Sequence, residues 1–359
     1  MDKEFCLEVA TEGAFQLAKV RGDVAGVFVC GSITHDAANW RPDHSDVDLR
    51  VVVNTTEQEA GYYEMMQGVP LEWMFVPKRR FDTREELLSA AFLASELVNG
   101  IIIYDPTGWL QQVKDEVQLT YDHPSYRIAR GERLLNAAKQ LYQHIQELFD
   151  AQEHVPLWDV RCAIFWTGET PSLLLNEIPN HRRLMVDLRE AGDRLGAPEL
   201  YSLGMETIGG DGDISRYDVE DALTDTLETI SYINQLNDRP HFHLSLDKCE
   251  YWEHGVQRML ADGDYLEALW PLLTLTSAIQ PTLAQMMHGN PITHSIAKLK
   301  YFLNRLGFLS RDDFQQRLIT LDKWIDRVER EIARQRMQKD AQVPAKSKQT
   351  QLSRINATF

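Results

Sequence analysis

Two aspartates, Asp46 and Asp48, stand two residues apart at the start of the run "SDVDLRVVV". Side chains on a strand alternate between faces, so both carboxylates leave the same one. Like charges on one face repel and need a cation between them. A pair of hard carboxylate oxygens suits Mg²⁺, which takes one or two carboxylates and fills its other positions from substrate phosphates. Upstream, the apolar run "VAGVFVC" ends in Gly31-Ser32. Glycine lets backbone come close to a phosphate, and the Gly31 and Ser32 amides and the Ser32 hydroxyl are donors to phosphate oxygens. A third carboxylate, Glu72, sits inside "PLEWMFVP". A charge between apolar neighbours on a buried strand is expensive unless a cation or a proton accompanies it. Each feature also has an ordinary reading: the aspartates cap a turn before a strand, and Glu72 faces solvent from a sheet edge.

The elements that must position these groups follow from periodicity. Leu7, Ala10, Ala14, Leu17 and Ala18 fall at helical spacing in residues 3–20. Short runs rich in Val, Ile and aromatics at 24–29, 47–53, 70–77 and 101–104 predict strands. Between the last two, "TREELLSAAFLASELVNG" predicts one helix, with Thr83 as N-cap, Glu86 three residues on and Gly100 at its end. Residues 1–107 thus read as a compact unit of helices and strands. Beyond it the period becomes helical throughout, with Gly and Pro as punctuation and no fixed repeat. The expected division is 1–107, a helical domain at 108–240, a second bundle at 241–335 and a disordered basic tail at 336–359, with "LNDRPHFHLS" as the break between the helical halves.

Composition is that of a soluble globular chain, 43% hydrophobic and 25% charged over 359 residues. With no apolar run of spanning length and no signal peptide at "MDKEFCLEVA", the expected location is cytoplasmic, away from membranes. The four cysteines, Cys6, Cys30, Cys162 and Cys249, have no metal-type spacing and read as reduced thiols. Net charge is -17, and residues 1–326 hold 29 basic against 51 acidic residues, a net of -22. Such a body is a poor footprint for nucleic acid and suits a small or cationic substrate, or solubility alone.

The combination of Gly31-Ser32, thirteen residues, Asp46-Val47-Asp48 and then Glu72 resembles the polymerase-beta-like nucleotidyltransferase superfamily, over roughly residues 5–115. Within it the chain looks most like the aminoglycoside (kanamycin) nucleotidyltransferase branch, whose small catalytic domain is followed by helices. The resemblance implies an α+β chain: a small mixed-sheet catalytic domain, then an all-helical C-terminal region. It implies transfer of a nucleoside monophosphate, AMP from ATP, to a hydroxyl of a small, aminoglycoside-like acceptor. Two Mg²⁺ ions would be held by Asp46, Asp48 and Glu72, with Gly31 and Ser32 on the nucleotide. That branch takes its general base from the helical domain, where "QELFDAQ" offers Glu147 and, preferred, Asp150. The same chemistry on a protein acceptor and an inactive binding module are the alternatives, and a homodimer is compatible with either.

The loop "ITHDAANWRPDH" departs from the family, with Asp36 and no arginine where relatives grip the triphosphate; Arg41, Lys78, Arg79 or Arg80 are substitutes. His181, Arg182 and Arg183 could reach the phosphates from the helical region, and Trp158 or Trp166 could stack a ring, though helix starts and core packing account for them too. Asp211 and Asp213 in "DGDIS" precede a helical pattern instead of a strand and read as a turn. His241 and His243 lack a third ligand nearby.

Overall fold

The computed structural model describes residues 2–34, 45–55, 61–177, 180–236, 244, 246–286 and 293–342. It is an α+β chain: a five-stranded mixed sheet with its helices, followed by a helical region. The N-terminal unit runs α1 (Lys3–Val20), β1 (Val24–Cys30), β2 (Val47–Val53), β3 (Tyr62–Met66), β4 (Val69–Pro77), α2 (Arg84–Leu88), α3 (Leu93–Asn99), β5 (Ile101–Tyr104) and α4 (Trp109–Gln118). Strand order is β3-β4-β2-β1-β5, with β2 and β4 parallel and the other pairs antiparallel. The helical region comprises α5 (Pro124–Asp150), α6 (Leu157–Leu174), α7 (Leu184–Leu195), α8 (Glu199–Ile208), α9 (Arg216–Leu236), α10 (Leu246–Asp262), α11 (Leu269–Met286), α12 (Thr293–Arg305) and α13 (Arg311–Gln342).

Alternation along the strands sorts the sheet into two faces. Val47, Leu49 and Val51 of β2 and Leu71, Trp73 and Phe75 of β4 pack on Cys6, Val9, Ala10 and Ala14 of α1. On the other face Phe28, Cys30 and Val52 meet Phe81, Leu87, Leu97, Leu110 and Val113. In register order β2 presents Asp48, Arg50 and Val52 to that second face. Val52 lies under the helices, Arg50 reaches Glu96 of α3, and Asp48 lies beside Cys30 toward the start of β2.

The expected single helix over 83–100 is two helices. Thr83 makes no side-chain capping bond, and α2 ends at Leu88 with Ser89 as its C-cap. The buried Arg130 of α5 explains the break: its guanidinium donates to the carbonyl oxygens of Leu88 (3.0 Å) and Tyr121 (3.2 Å) and to Asn176 Oδ1. The carbonyl that helix continuation would have used is thereby satisfied from another element. Strand β3, not expected from the sequence, is an exposed edge without apolar alternation. It enters β4 through Gln67-Gly68, both at positive φ, as a two-residue hairpin demands.

One apolar cluster runs from Ile128 to Ile332 and so spans residues on both sides of position 240. A smaller one gathers Ile230, Ile233, Cys249, Trp252, Leu275 and Ile279 and seats α10. Helix α13 continues to Gln342, into the stretch expected as disordered tail; residues 343–359 lie outside the described residues. Among the described residues no helix is long and apolar enough to cross a membrane.

Two ionic features carry stability predictions. Arg50 and Glu96 form a two-pronged pair (2.9 and 2.5 Å) that ties β2 to α3, with both side chains largely buried. Arg50→Met strands the Glu96 charge and is expected to cost about 3 kcal/mol in chemical denaturation. The Arg50→Met/Glu96→Leu double variant is expected to recover most of that loss. In the first turn of α7, burial and Glu190 push the Asp187 carboxyl up to about 7, against the pull of Arg183. A carboxyl raised on folding makes the native state bind the extra proton, so stability falls as pH rises from about 4 to about 7. Asp187→Asn should remove that fall, being about 4 kcal/mol more stable than wild type at pH 8 and little different at pH 4.

Candidate active site

The register brings the sequence-predicted carboxylates together. Asp48 of β2 lies opposite Glu72 of β4 on one side and Cys30 of β1 on the other, and Glu72 lies opposite Tyr63 of β3. Residues paired across strands share a face, so Asp48, Glu72 and Tyr63 form one row. Asp46, two positions before Asp48, joins it from the residue just before β2. Oxygens of Asp46, Asp48 and Glu72 lie within 4.8 Å of one another. Asp46 is buried and the other two are half-buried.

Gly31 follows β1 and fixes the back of this group. Its φ is +74°, and a Cβ there would stand 1.9 Å from Asp48 Oδ2. The position therefore excludes every side chain, both by conformation and by the carboxylate pressed against it. Ser32 opens a short 3₁₀ turn, Ser32–Thr34, closed by Thr34 Oγ1 and the Thr34 amide donating to the Gly31 carbonyl at 2.8 and 3.1 Å. Ile33 anchors that turn, fully buried. Gly31 of the Gly-Ser corner thus abuts Asp48 of the acidic row. The following loop, with Asp36 and Arg41, lies outside the described residues.

The electrostatics of this group are those of crowded, buried carboxylates. Burial, then Asp46 and Glu72, push the Asp48 carboxyl well above the usual carboxylate range. A divalent ion among these oxygens reverses that balance, because it becomes the largest local charge. Three hard oxygen donors within reach of one point fit Mg²⁺ or Mn²⁺ and are the wrong set for soft metals. The neighbouring Cys30 thiol is buried and pushed far up by that burial, so it is a core residue and not a nucleophile.

Among the described residues one lysine sits within the acidic group, and nothing local in the sequence announces it. Lys248 of α10 inserts its ammonium group between the carboxylates, bonding Asp46 Oδ2 at 2.6 Å and Glu72 Oε2. The residue is only 4% exposed. Burial works to lower its pKa, yet Asp46, Glu72 and Tyr251 hold it well above the usual lysine value. The Tyr63 and Tyr251 rings lie 5.0 and 4.3 Å from its Nζ. Arg182 lies over the Tyr251 ring at 3.6 Å and donates to the Tyr251 carbonyl at 2.6 Å. Of the "HRR" segment, it is Arg182 that reaches the edge of the site. Lys248 and Tyr251 share one helix face, while Cys249, Trp252 and Val256 of the same helix are buried. A single lysine in an amphipathic helix carries no local signal. Only the uncompensated charge of the carboxylates pointed to a missing cation.

Other expected groups are placed elsewhere. Asp150 is the last residue of α5, exposed, and is not one of the clustered carboxylates; the adjoining Phe149 carbonyl accepts from Arg311 at the start of α13. Lys78, Arg79 and Arg80 follow the far end of β4, at least five strand residues or roughly 16 Å beyond Glu72. They cannot replace the missing loop arginine at the acidic end. Lys78 instead lies over Trp109, and Arg79 and Arg80 border a recess with Arg133. Trp158 packs beside the small cluster under α10, with Arg161 over its ring at 5.2 Å, and Trp166 packs on the main helical core. Asp211 pairs with Arg317 at 2.7 Å and the Asp213 carbonyl accepts from Arg305, as turn residues should. His241 and His243 lie outside the described residues.

No protein-family model matches the chain, and a search of curated proteins returned no match. A solved nucleotidyltransferase-like protein from Exiguobacterium sibiricum 255-15 is similar over 83% of this chain and 88% of that one, at 14% identity and a TM-score of 0.30.

Gly31→Ala is the sharpest structural test of this site. Its Cβ must displace the Asp48 carboxylate and its backbone is strained, so a loss of about 2 kcal/mol or more is expected in thermal or chemical unfolding. The same substitution at Gly68, also at positive φ but with open space around it, should cost only about 1 kcal/mol.

Proposed function

We propose that the chain is a metal-dependent nucleotidyltransferase, moving a nucleoside monophosphate, AMP from ATP, to a hydroxyl of a small acceptor. One observation carries this reading: Asp46, Asp48 and Glu72 converge on one point beside the Gly31-Ser32 corner. That is an oxygen-donor clamp next to backbone that can approach a phosphate. The excess of acidic residues favours a cationic acceptor such as an amino-sugar.

The acidic cluster of Asp46, Asp48 and Glu72 would seat divalent metal, with Asp46 and Asp48 as its principal ligands, and the metal supplies charge neutralisation on the phosphates when bound. The residues do the rest by position. The Gly31-Ser32 turn offers donors to the triphosphate and leaves the α-phosphorus open to the acidic row. The acceptor oxygen attacks that phosphorus in line, the bond to the bridging oxygen breaks, and pyrophosphate leaves with the electron pair. The hydroxyl proton passes to a carboxylate, for which Glu72 is placed in the cluster while Asp150 lies outside it. Positioning and electrostatics account for most of the rate in such transfers.

Lys248 favours one second reading. An ammonium group lodged permanently on Asp46 and Glu72 would make a module that binds nucleotide and transfers nothing. Incubation with Mg²⁺, labelled nucleoside triphosphates and a panel of amino-sugars, other small hydroxyl compounds and proteins, read by mass spectrometry, separates the two. Transfer is expected, with pyrophosphate released. Asp46→Asn and Asp48→Asn should each lower turnover by at least about 1,000-fold with unfolding curves close to wild type. Nucleotide binding without any transfer would establish the second reading, and near-normal turnover in either variant would remove the metal assignment.

A further inference from the structure

The position of Lys248 within the acidic group bears on how many metal ions the site takes. Its Nζ bonds Asp46 and Glu72, whereas among the described residues no donor bonds the Asp48 carboxylate. We infer that Lys248 is a built-in replacement for a second cation, so that the site holds one divalent ion, on Asp46 and Asp48, instead of two. The inference rests on the metal-site reading above and deepens it.

Space and charge both support it. A divalent ion bridging Asp46 Oδ2 and Glu72 Oε2 would lie about 2.1 Å from each oxygen. That is the gap already filled by Nζ, 2.6 Å from the same Asp46 oxygen. Two cations cannot share it. Three carboxylates carry three negative charges; one ammonium and one divalent ion cancel them, and a second divalent ion would leave a net excess. The seat is also built for a cation. The Tyr63 and Tyr251 ring centroids lie 5.0 and 4.3 Å from Nζ, within cation–π range. The helix that carries the lysine is locked below by Cys249 and Trp252, so the ammonium is delivered from a rigid element.

Mn²⁺ binding counts the ions directly. The full-length protein is titrated with Mn²⁺ and free ion is read by electron paramagnetic resonance. The Asp46→Asn/Asp48→Asn double variant supplies the background from the acidic surface. One Mn²⁺ per wild-type chain above that background, and two in Lys248→Met, is the expected result. Glu72→Gln should retain the single ion, and Asp48→Asn should lose it. Two ions on the wild type, or one on folded Lys248→Met, would overturn the inference while leaving the metal site intact. No ion above background on the wild type would overturn the metal-site reading and the inference with it. The wild-type count and the Glu72→Gln and Asp48→Asn pair decide the matter even if Lys248→Met does not fold.

Discussion

Three carboxylates held within one cation's reach repel one another, and the protein is arranged so that they stay there. Parallel pairing of β2 with β4 sets Asp48 beside Glu72, and the period of the strand sets Asp46 beside Asp48. Gly31 closes the back of the group because only a residue without Cβ fits against Asp48. The cost of this crowding is visible in the upward shift of the Asp48 carboxyl, and it is offset by positive charge brought in from outside the sheet. Lys248 brings part of that charge from a helix 202 residues away in sequence from Asp46.

This links the two halves of the molecule. On the second face Phe28, Cys30 and Val52 pack on α2 to α4 and Arg50 reaches Glu96, while Asp46 and Glu72 meet Lys248 of the helical region. Arg130, fully buried, fastens α5 to the end of α2, and Lys248 fastens α10 to the acidic row. A buried ion pair of this kind is weak evidence for stability, since desolvation consumes much of its Coulombic gain. Its value lies in specificity: it fixes which helix faces the site and where its tyrosine and the nearby Arg182 stand.

Much of the N-terminal unit was legible in the sequence, because its signals are local. The strand runs, the Gly-Ser corner and the Asp-Val-Asp pair depend on periodicity and on residue chemistry within a few positions. The exposed strand β3 escaped because an edge strand need not alternate, although Gln67-Gly68 was a hairpin signal. The break between α2 and α3 escaped because its cause, Arg130, lies more than forty residues away in sequence from the Leu88 carbonyl that it satisfies. Lys248 escaped for the same reason: the repulsion among the carboxylates announced a cation, but a metal ion and a lysine answer that demand equally well at the level of sequence. The acceptor has no comparable local signature, and net charge does not identify it, since an acidic surface also serves solubility.

The central claim is that the acidic row is a cation-dependent nucleotide site. Calorimetric titration of the wild-type protein with a non-hydrolysable ATP analogue, in Mg²⁺ and again in excess chelator, tests it most directly. Saturable binding in Mg²⁺ that weakens at least about 100-fold in chelator is the predicted result. Equal affinity in both conditions, or no binding in either, would contradict the account.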